Sequence, residues 1–280
     1  MGTRTLFVKV ASPAPRMYER GWSVALEITT PALVLRARPY GESDRIVTLI
    51  TEQHGKITGI AKGAKNSRRR FAGTLEPFVH VRAVFRQRNS ELVFLVRCEL
   101  VGALRAFTRD LDCFAAGTYV LDLTDRMVLG RESGGDVYRL VCEALALLDA
   151  GCVREPLLRA FELHLLSASG YAPGLERCRG CGTSTLEAAA IYLSVERGSL
   201  LCRRCVRPGE PVRPVSTATS RQLVRLATGS LADAARSATG ANLAEAAAVA
   251  EHLLAGVTSG PVRSRAFLAR TRVDSAGALR

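Results

Sequence analysis

Four cysteines in two close pairs are the residues whose spacing most directly predicts a chemical site. They are Cys178, Cys181, Cys202 and Cys205. Each pair encloses two residues and 20 residues separate the pairs, which is the spacing of zinc knuckles. Both thiolates of a pair can then reach one ion at about 2.3 Å, and two pairs complete a tetrahedron. Gly180 and Gly182 permit the tight turn of a knuckle, so we expect one structural zinc ion, Zn2+.

Two other interpretations of these cysteines stay open. A thiol redox motif would explain one pair, but two pairs at zinc spacing make it unattractive. A catalytic zinc needs an open coordination position, which four cysteines do not leave. The sequence also lacks the His-x-Glu pattern of zinc deaminases and the His-Glu-x-x-His pattern of metalloproteases.

The remaining cysteines and the arginines beside the pairs have ordinary interpretations. Cys98, Cys113, Cys142 and Cys152 stand in apolar surroundings, which predicts buried thiols. The flanking arginines are Arg177, Arg179, Arg203, Arg204 and Arg207. They either contact phosphate or, as is more usual, simply solvate a surface.

A basic segment between residues 56 and 70 is the second candidate site. Its cations are Lys56, Lys62, Lys65, Arg68, Arg69 and Arg70, and it contains no acid. Three consecutive arginines cannot all face a core, so the segment is expected to be an exposed loop. Gly59 and Gly63 let backbone N–H groups and guanidinium groups approach phosphates together. The spacing is not that of a nucleotide P-loop. It predicts binding to a nucleic-acid backbone, with a merely solvated loop as the alternative.

Charge is expected to dominate this binding. Arg82 and Arg86 alternate outward on the following strand and extend the basic surface. The candidate stacking rings are Tyr40, Phe71, Phe78, Phe85 and Phe94. Most of these rings are predicted to lie in a barrel core, so we expect weak sequence preference.

The composition favours a polyanionic partner. The chain has 280 residues, with 39 basic and 26 acidic side chains and a net charge of +13. A field of this sign attracts nucleic acid over roughly 10 Å at moderate salt. An arginine-rich genome explains the scarcity of lysine, but codon bias alone does not leave acids outnumbered. No apolar run reaches the roughly 18 residues of a membrane span, and no signal peptide is evident, so we expect a cytoplasmic protein with reduced thiols.

Hydrophobic periodicity predicts an α+β fold. Five short β-type runs between residues 28 and 108 suit an OB-fold barrel, with an SH3-like barrel as the competitor. From residue 109 the period becomes helical, as in Val137, Val141, Leu145 and Leu148. We expect a helical domain from 109–176 and 212–270, interrupted by a zinc module at 177–211. Asn242 and Glu245 are placed as a capping box. Residues 1–27 are expected to be a disordered leader, and residues 271–280 a flexible tail.

In these segments the chain resembles the RecO family of bacterial recombination mediators. The resemblance rests on PYGESDRIVTLITEQHGKITGIAKGAK and SRRRFAGTLEPF in the barrel, and on LLRAFELHLLSASGYAPGLERCRGCG and GSLLCRRC around the cysteines. It covers most of residues 30 to 210, and the leader before residue 25 matches nothing in the family.

The resemblance implies a non-catalytic DNA-binding protein. It implies binding to single- and double-stranded DNA, annealing of complementary strands and loading of RecA. It also implies RecR and the acidic C-terminal tail of single-strand binding protein as partners. Arg126, Arg131 and Arg139 are the candidates for contacting that tail. A barrel-type RNA-binding or translation-associated protein and a zinc-dependent enzyme remain the alternatives.

Overall fold

The computed structural model describes residues 26–87, 91–130, 134–151, 154–236, 242–258 and 260–277. The predicted leader up to residue 25, together with Arg131 and Cys152, lies outside them. The described chain is an α+β protein in which an N-terminal sheet precedes a set of helices and a small second sheet. None of the described helices combines the length and hydropathy that a membrane span requires.

Five strands form a closed barrel at the N-terminal end. They are β1 Glu27–Tyr40, β2 Asp44–Thr51, β3 Gly55–Ala61, β4 Val79–Arg86 and β5 Leu92–Ala103. Their order around the barrel is β1-β2-β3-β5-β4, and every pairing is antiparallel except that of β3 with β5. A closed five-stranded barrel with one crossover fits the OB-like architecture expected from the sequence.

Alternating side chains, interrupted by register shifts in β1, β4 and β5, fill the interior of the barrel. Val47 and Leu49 of β2, Phe85 of β4 and Leu95 of β5 point inward and are almost fully buried. Gly59 lies among them because a Cβ at this position would stand 2.8 Å from side-chain carbons of both Val93 and Leu95. Residues between these positions therefore face outward, toward either solvent or the helices.

Seven helices follow the barrel. They are α1 Leu111–Met127, α2 Gly134–Asp149, α3 Arg154–Ala168, α4 Thr217–Thr228, α5 Leu231–Arg236, α6 Leu243–Ala255 and α7 Arg263–Gly277 among the described residues. Helix α3 contacts α4, α5 and α6, and α1 contacts α7, so the helices on both sides of the cysteine pairs share one core. The cysteine-rich segment thus lies between helices that pack together in one core.

Two local expectations about the helical domain are wrong. Glu245 does not cap its own helix; its carboxylate accepts hydrogen bonds from the N–H and hydroxyl of Ser216 and the hydroxyl of Thr219 at the start of α4. Asn242 makes no side-chain capping bond. Tertiary partners therefore outcompete the local capping box.

Helix α7 also continues to Gly277, past residue 270, where the helical domain was expected to end.

An aromatic contact joins the barrel to the helices. Phe78 immediately precedes β4 and has a φ of 67°, in the left-handed region. Its ring stacks on that of Phe107, with 4.4 Å between the centroids. Gly117 of α1 lies against both rings, since a Cβ there would stand 2.4 Å from Phe107 Cε1 and 2.7 Å from Phe78 Cε1. The close approach of α1 to the barrel therefore requires glycine at position 117.

Replacement of Gly117 by alanine should test this joint. Alanine improves helix propensity, but the clash with two packed rings is larger, so Gly117→Ala should lower the free energy of unfolding by about 1–3 kcal/mol. Urea denaturation measures the change. Gly102→Ala on β5, where nothing lies within 4 Å of the new Cβ, is the matched control. Equal stability of the two variants would contradict a tight joint.

Candidate nucleic-acid interface and metal centre

The basic loop, residues 62–78 between β3 and β4, is fixed to the barrel at several points. Gly63, with a φ of 66°, donates its N–H to Asp44 Oδ1 at 2.8 Å. The N–H of Lys65 donates to the Ser43 carbonyl oxygen at 2.9 Å. Farther along, Arg45 Nη1 lies 2.6 Å from Glu76 Oε1. These bonds hold the first and last parts of the loop against the turn between β1 and β2 and the start of β2.

Asp44 is the carboxylate nearest the start of the loop. The N–H of Gly63, the hydroxyl of Ser43 and the charges of Lys62 and Lys65 lower its pKa below the ordinary value. Asp44 therefore stays ionised, but neither lysine lies within 4.0 Å of its oxygens as an ion pair. Its main role is to accept the backbone N–H that shapes the loop.

Five cations of the loop remain without a close acid. Lys62, Lys65, Arg68, Arg69 and Arg70 are exposed, and none is ion-paired within 4.0 Å to a carboxylate in the described parts of the chain. Lys65 Nζ donates to the carbonyl oxygens of Gly41 and Glu42, each at 2.9 Å, which leaves its positive charge uncompensated. Arg70 donates to the Lys62 carbonyl oxygen at 2.9 Å and lies over the ring of Phe71.

Lys56 does not belong to this exposed set. It lies in β3, its side chain is 17% exposed, and its Nζ is 3.2 Å from Asp125 Oδ1 of α1. The same ammonium donates to the Asp125 backbone oxygen at 2.5 Å, and Arg36 Nη2 is 3.3 Å from Asp125 Oδ2. Lys56 was predicted to bind DNA with the loop cations because its position in the sequence does not reveal that a helix covers this end of β3. Lys56 instead joins the barrel to the helical domain.

Arg82 and Arg86 face outward on β4, as alternation predicted, but both are partnered. Arg86 Nη2 lies 2.7 Å from Glu27 Oε1, and Arg82 Nη1 lies 3.9 Å from Glu99 Oε2. All four side chains are well exposed, so these surface pairs contribute little to stability and exchange readily with another anion. Their positive charge is nonetheless balanced, unlike that of the loop.

Arg38 is a candidate that the sequence analysis missed. It is exposed near the end of β1 and makes no ion pair within 4.0 Å among the described residues. Its neighbour Ala37 packs toward the barrel core, so period-two alternation alone could have placed Arg38 on the outer surface. The sequence reasoning missed Arg38 because Arg36, Arg38 and Pro39 interrupt the apolar run of this strand.

The four cysteines of the zinc motif converge on one point. Their sulfur atoms all lie within 4.8 Å of one another, and Cys181 Sγ and Cys202 Sγ are 3.7 Å apart. Four sulfurs at about 2.3 Å from a central ion would stand about 3.8 Å apart. The donor set and its size therefore fit a tetrahedral four-thiolate metal site, in which no coordination position stays open.

Short strands and a close backbone position these sulfurs. The strands are β6 Ile191–Ser194, β7 Ser199–Cys202 and β8 Val212–Val215, and β8 was not expected. The hairpin of β6 and β7 presents Cys202, and a single 3₁₀ turn at Arg203–Cys205 presents the second member of the pair. A Cβ at Gly180 would lie 2.7 Å from Cys205 Sγ, so the first knuckle requires glycine there.

Hydrogen bonds lower the pKa of two of the four thiols, which favours the thiolate form that binds a metal cation. The hydroxyl and N–H of Thr183 lower the pKa of the Cys181 thiol to about 6. Burial raises the pKa of Cys178, but backbone N–H groups, that of Cys202 foremost, outweigh it and leave a lowered pKa. Contacts with the other three sulfurs raise the pKa of Cys205 to about 12, because neighbouring thiolates repel. A central cation would relieve that repulsion.

The other cysteines lie apart from this cluster. Cys98 and Cys113 are buried, and burial raises their pKa to about 12 and about 11 respectively. Cys142 is half-buried, with a pKa raised to about 11. The prediction of buried core thiols is confirmed for the first two residues. Among the arginines beside the pairs, Arg177 donates to the Gly182 carbonyl oxygen at 3.2 Å and supports the knuckle.

Known proteins resemble this chain over both parts of the fold. A family model described as recombination protein O N terminal matches residues 25–104, and one described as recombination protein O C terminal matches residues 108–266. The chain belongs to the RecO family. The DNA repair protein RecO of Anaeromyxobacter sp. (strain K) is 40% identical over 205 residues, covering 72% of this chain and 80% of its own length. That of Geobacter metallireducens is 36% identical over 248 residues, covering 88% and 98%.

The RecO resemblance expected from the sequence is thus confirmed. The two matched regions correspond to the barrel with its basic loop and to the helices with the cysteine cluster. A third relative, from Syntrophus aciditrophicus, is 34% identical over 198 residues, covering 70% of this chain and 76% of its own. It is also named DNA repair protein RecO.

The partnered state of Lys56 leads to a first prediction for this surface. Lys56→Met should lower the free energy of unfolding by about 1–3 kcal/mol, because Asp125 loses a charged hydrogen-bond donor in a poorly solvated place. DNA affinity per folded molecule should change less than twofold. Chemical denaturation and fluorescence anisotropy measure the two quantities. If Lys56→Met instead loses much of its DNA affinity while its stability is unchanged, Lys56 contacts DNA and the prediction is wrong.

The metal centre gives a second prediction. Cys178→Ser should abolish stoichiometric metal binding and lower thermal stability far more than DNA affinity per folded molecule. A structural metal contributes on the order of 10 kcal/mol to its module. Mass spectrometry of the metal content and calorimetry measure the effect, with Cys142→Ser on α2 as control. If Cys178→Ser instead impairs DNA binding in a fully stable protein, the metal module itself is a DNA site.

Proposed function

We propose that this chain mediates DNA repair and RecF-pathway homologous recombination. It binds single- and double-stranded DNA, anneals complementary strands and helps load RecA onto DNA coated by single-strand binding protein. The observation that carries the proposal is the basic loop, whose five exposed cations form no ion pair within 4.0 Å in the described residues. The chain belongs to a family whose members are named DNA repair proteins, which supports DNA as the polyanion that this charge binds.

Annealing follows from charge neutralisation and needs no catalytic group. Two DNA strands repel each other through their phosphates, and cations bound to both lower that repulsion while counterions are released. The loop meets this requirement because Asp44 already holds its backbone and its exposed cations form no ion pair within 4.0 Å among the described residues. The function is therefore binding rather than catalysis, and no acid–base pair is required.

The cysteine cluster is proposed to hold one structural Zn2+. Cys178, Cys181, Cys202 and Cys205 supply four thiolates at tetrahedral separation. Zinc would lock the hairpin of β6 and β7 against the first knuckle, and four sulfurs leave no position for a reactive water. Iron in a four-sulfur site is the other metal that this donor set suits, and metal analysis separates the two.

Protein partners are proposed to meet the helical domain. RecR and the acidic C-terminal tail of single-strand binding protein are the expected partners, and RecA benefits indirectly. Of the arginines named for the tail, Arg126 lies 2.8 Å from Asp122 and Arg139 lies 2.5 Å from Asp136. An acidic tail would have to displace these carboxylates. The protein would act in the cytoplasm at the nucleoid, without a membrane partner.

The loop gives the central test of this function. Arg68/Arg69→Gln should weaken binding to single-stranded DNA and slow strand annealing. Loss of two phosphate contacts should flatten the plot of log K against log salt by about 1.4. Fluorescence anisotropy at several salt concentrations and an annealing assay measure these effects. Arg70 is left intact because it bonds the loop to itself.

A matched variant controls for net charge. Arg221/Arg225→Gln removes two exposed arginines from α4 of the helical domain, and it should leave both the salt slope and annealing unchanged. Competition with RNA of equal length distinguishes a general single-strand binder from a DNA protein. Equal annealing by wild type and Arg68/Arg69→Gln would remove the loop from the mechanism.

A further inference from the structure

An apolar row crosses the outer surface of the barrel next to the basic loop. It comprises Arg38, Ile46, Ile60 and Phe94, which strand register aligns on β1, β2, β3 and β5. Val47 and Val93, the neighbours along β2 and β5, belong to the barrel core, so alternation turns the row outward. The three apolar members are half-buried.

The helices contact the opposite end of the same strands. There Lys56 pairs with Asp125, its N–H donates to the Gly130 carbonyl oxygen, and Gly135 lies against the backbone of Glu52. The row stands four residues away along β3, at Ile60. One half of the outer face of β2 and β3 is thus covered by α1 and α2, and the other half faces outward.

Apolar surface and positive charge meet at this uncovered half. Leu92, on the same face of β5 as Phe94, is 44% exposed, and Tyr40 at the end of β1 is 52% exposed. Arg38 closes one end of the row, and Lys62 follows Ile60 by two residues. A solvent-facing apolar strip bordered by cations suits a flexible polyanion that carries flat apolar groups.

We propose that this row binds the bases of single-stranded DNA while the basic loop binds its phosphates. The inference rests on the proposed function and deepens it. Every base has an aromatic face, so stacking on Phe94 and contact with Ile60 and Leu92 are tolerant of sequence. A duplex keeps its bases inside the helix and cannot use the row, which gives a preference for single strands. Contact with the row adds to the binding of phosphates by the loop, which is still expected to supply most of the affinity.

The decisive experiment compares DNA with and without bases. Phe94→Leu keeps an apolar side chain on the barrel but removes the ring. It should bind oligothymidylate about tenfold more weakly than wild type, which corresponds to about 1.4 kcal/mol, with an unchanged salt slope. On an abasic oligonucleotide of equal length, wild type and Phe94→Leu should bind alike. Leu100→Ala, which alters a residue 61% exposed elsewhere on β5, should match wild type on both.

A spectroscopic variant provides a second readout that does not depend on affinity. The chain has one tryptophan, Trp22, so Trp22→Phe/Phe94→Trp places a single indole in the row. Its emission should be quenched by oligothymidylate and not by the abasic strand, because only a base can stack on it. Equal quenching by both strands, or none by either, overturns the inference.

The failures of the two proposals are distinguishable. If wild type binds neither oligonucleotide, the proposed function fails. If Arg68/Arg69→Gln weakens binding but Phe94→Leu loses the same factor on both oligonucleotides, or loses nothing, only the base-binding row fails and the loop remains the DNA site.

Discussion

The docking of α1 and α2 against the barrel is the constraint on which the rest of the structure depends. Asp125 gathers Lys56 and Arg36, and Phe78 stacks on Phe107 where Gly117 lets α1 approach. Because the pair of Lys56 and Asp125 is poorly solvated, separating the domains would leave charges without partners, at a cost larger than that of a surface pair. This docking removes one lysine and half a sheet face from solvent, and it thereby defines the surface that remains.

The distribution of acids then concentrates the positive field. Asp125 is occupied at the domain joint, Glu27 and Glu99 balance the arginines of β4 and β5, and Glu76 pairs with Arg45. Asp44, next to the start of the loop, accepts backbone and hydroxyl hydrogen bonds and forms no ion pair within 4.0 Å with the loop cations. The positive charge of the barrel is therefore not spread evenly over its surface. The exposed cations of the loop repel one another in the free protein, and a bound polyanion would relieve that repulsion.

Local patterns in the sequence predicted most of the elements, but not their contacts. Short apolar runs, with alternation in β4, predicted the five barrel strands, and cysteine spacing predicted the cluster, because these signals depend only on neighbours along the chain. Lys56 and Lys62 look alike in one basic segment of the sequence. Only the position of α1 shows that Lys56 joins the two parts of the fold whereas Lys62 belongs to the exposed loop. Glu245 matched a capping box, yet Ser216, 29 residues earlier, proved the better partner. The strand β8 has only four residues and includes Pro214, so it is too short to show a hydrophobic period in the sequence.

The proposed annealing activity also limits how strongly the barrel could hold a base. A strand whose bases are gripped cannot pair with its complement, so affinity should come mainly from phosphates, which stay accessible in a duplex. The geometry meets this condition because the apolar row offers a single half-buried ring, Phe94, whereas Phe71 and Phe85 are committed to the core. One stacking contact is worth about 1–3 kcal/mol, which orients a strand without competing with the stacking gained as a duplex forms over many base pairs. Charge that attracts both strands and a weak apolar row that keeps bases extended would therefore act together, with the loop supplying most of the affinity.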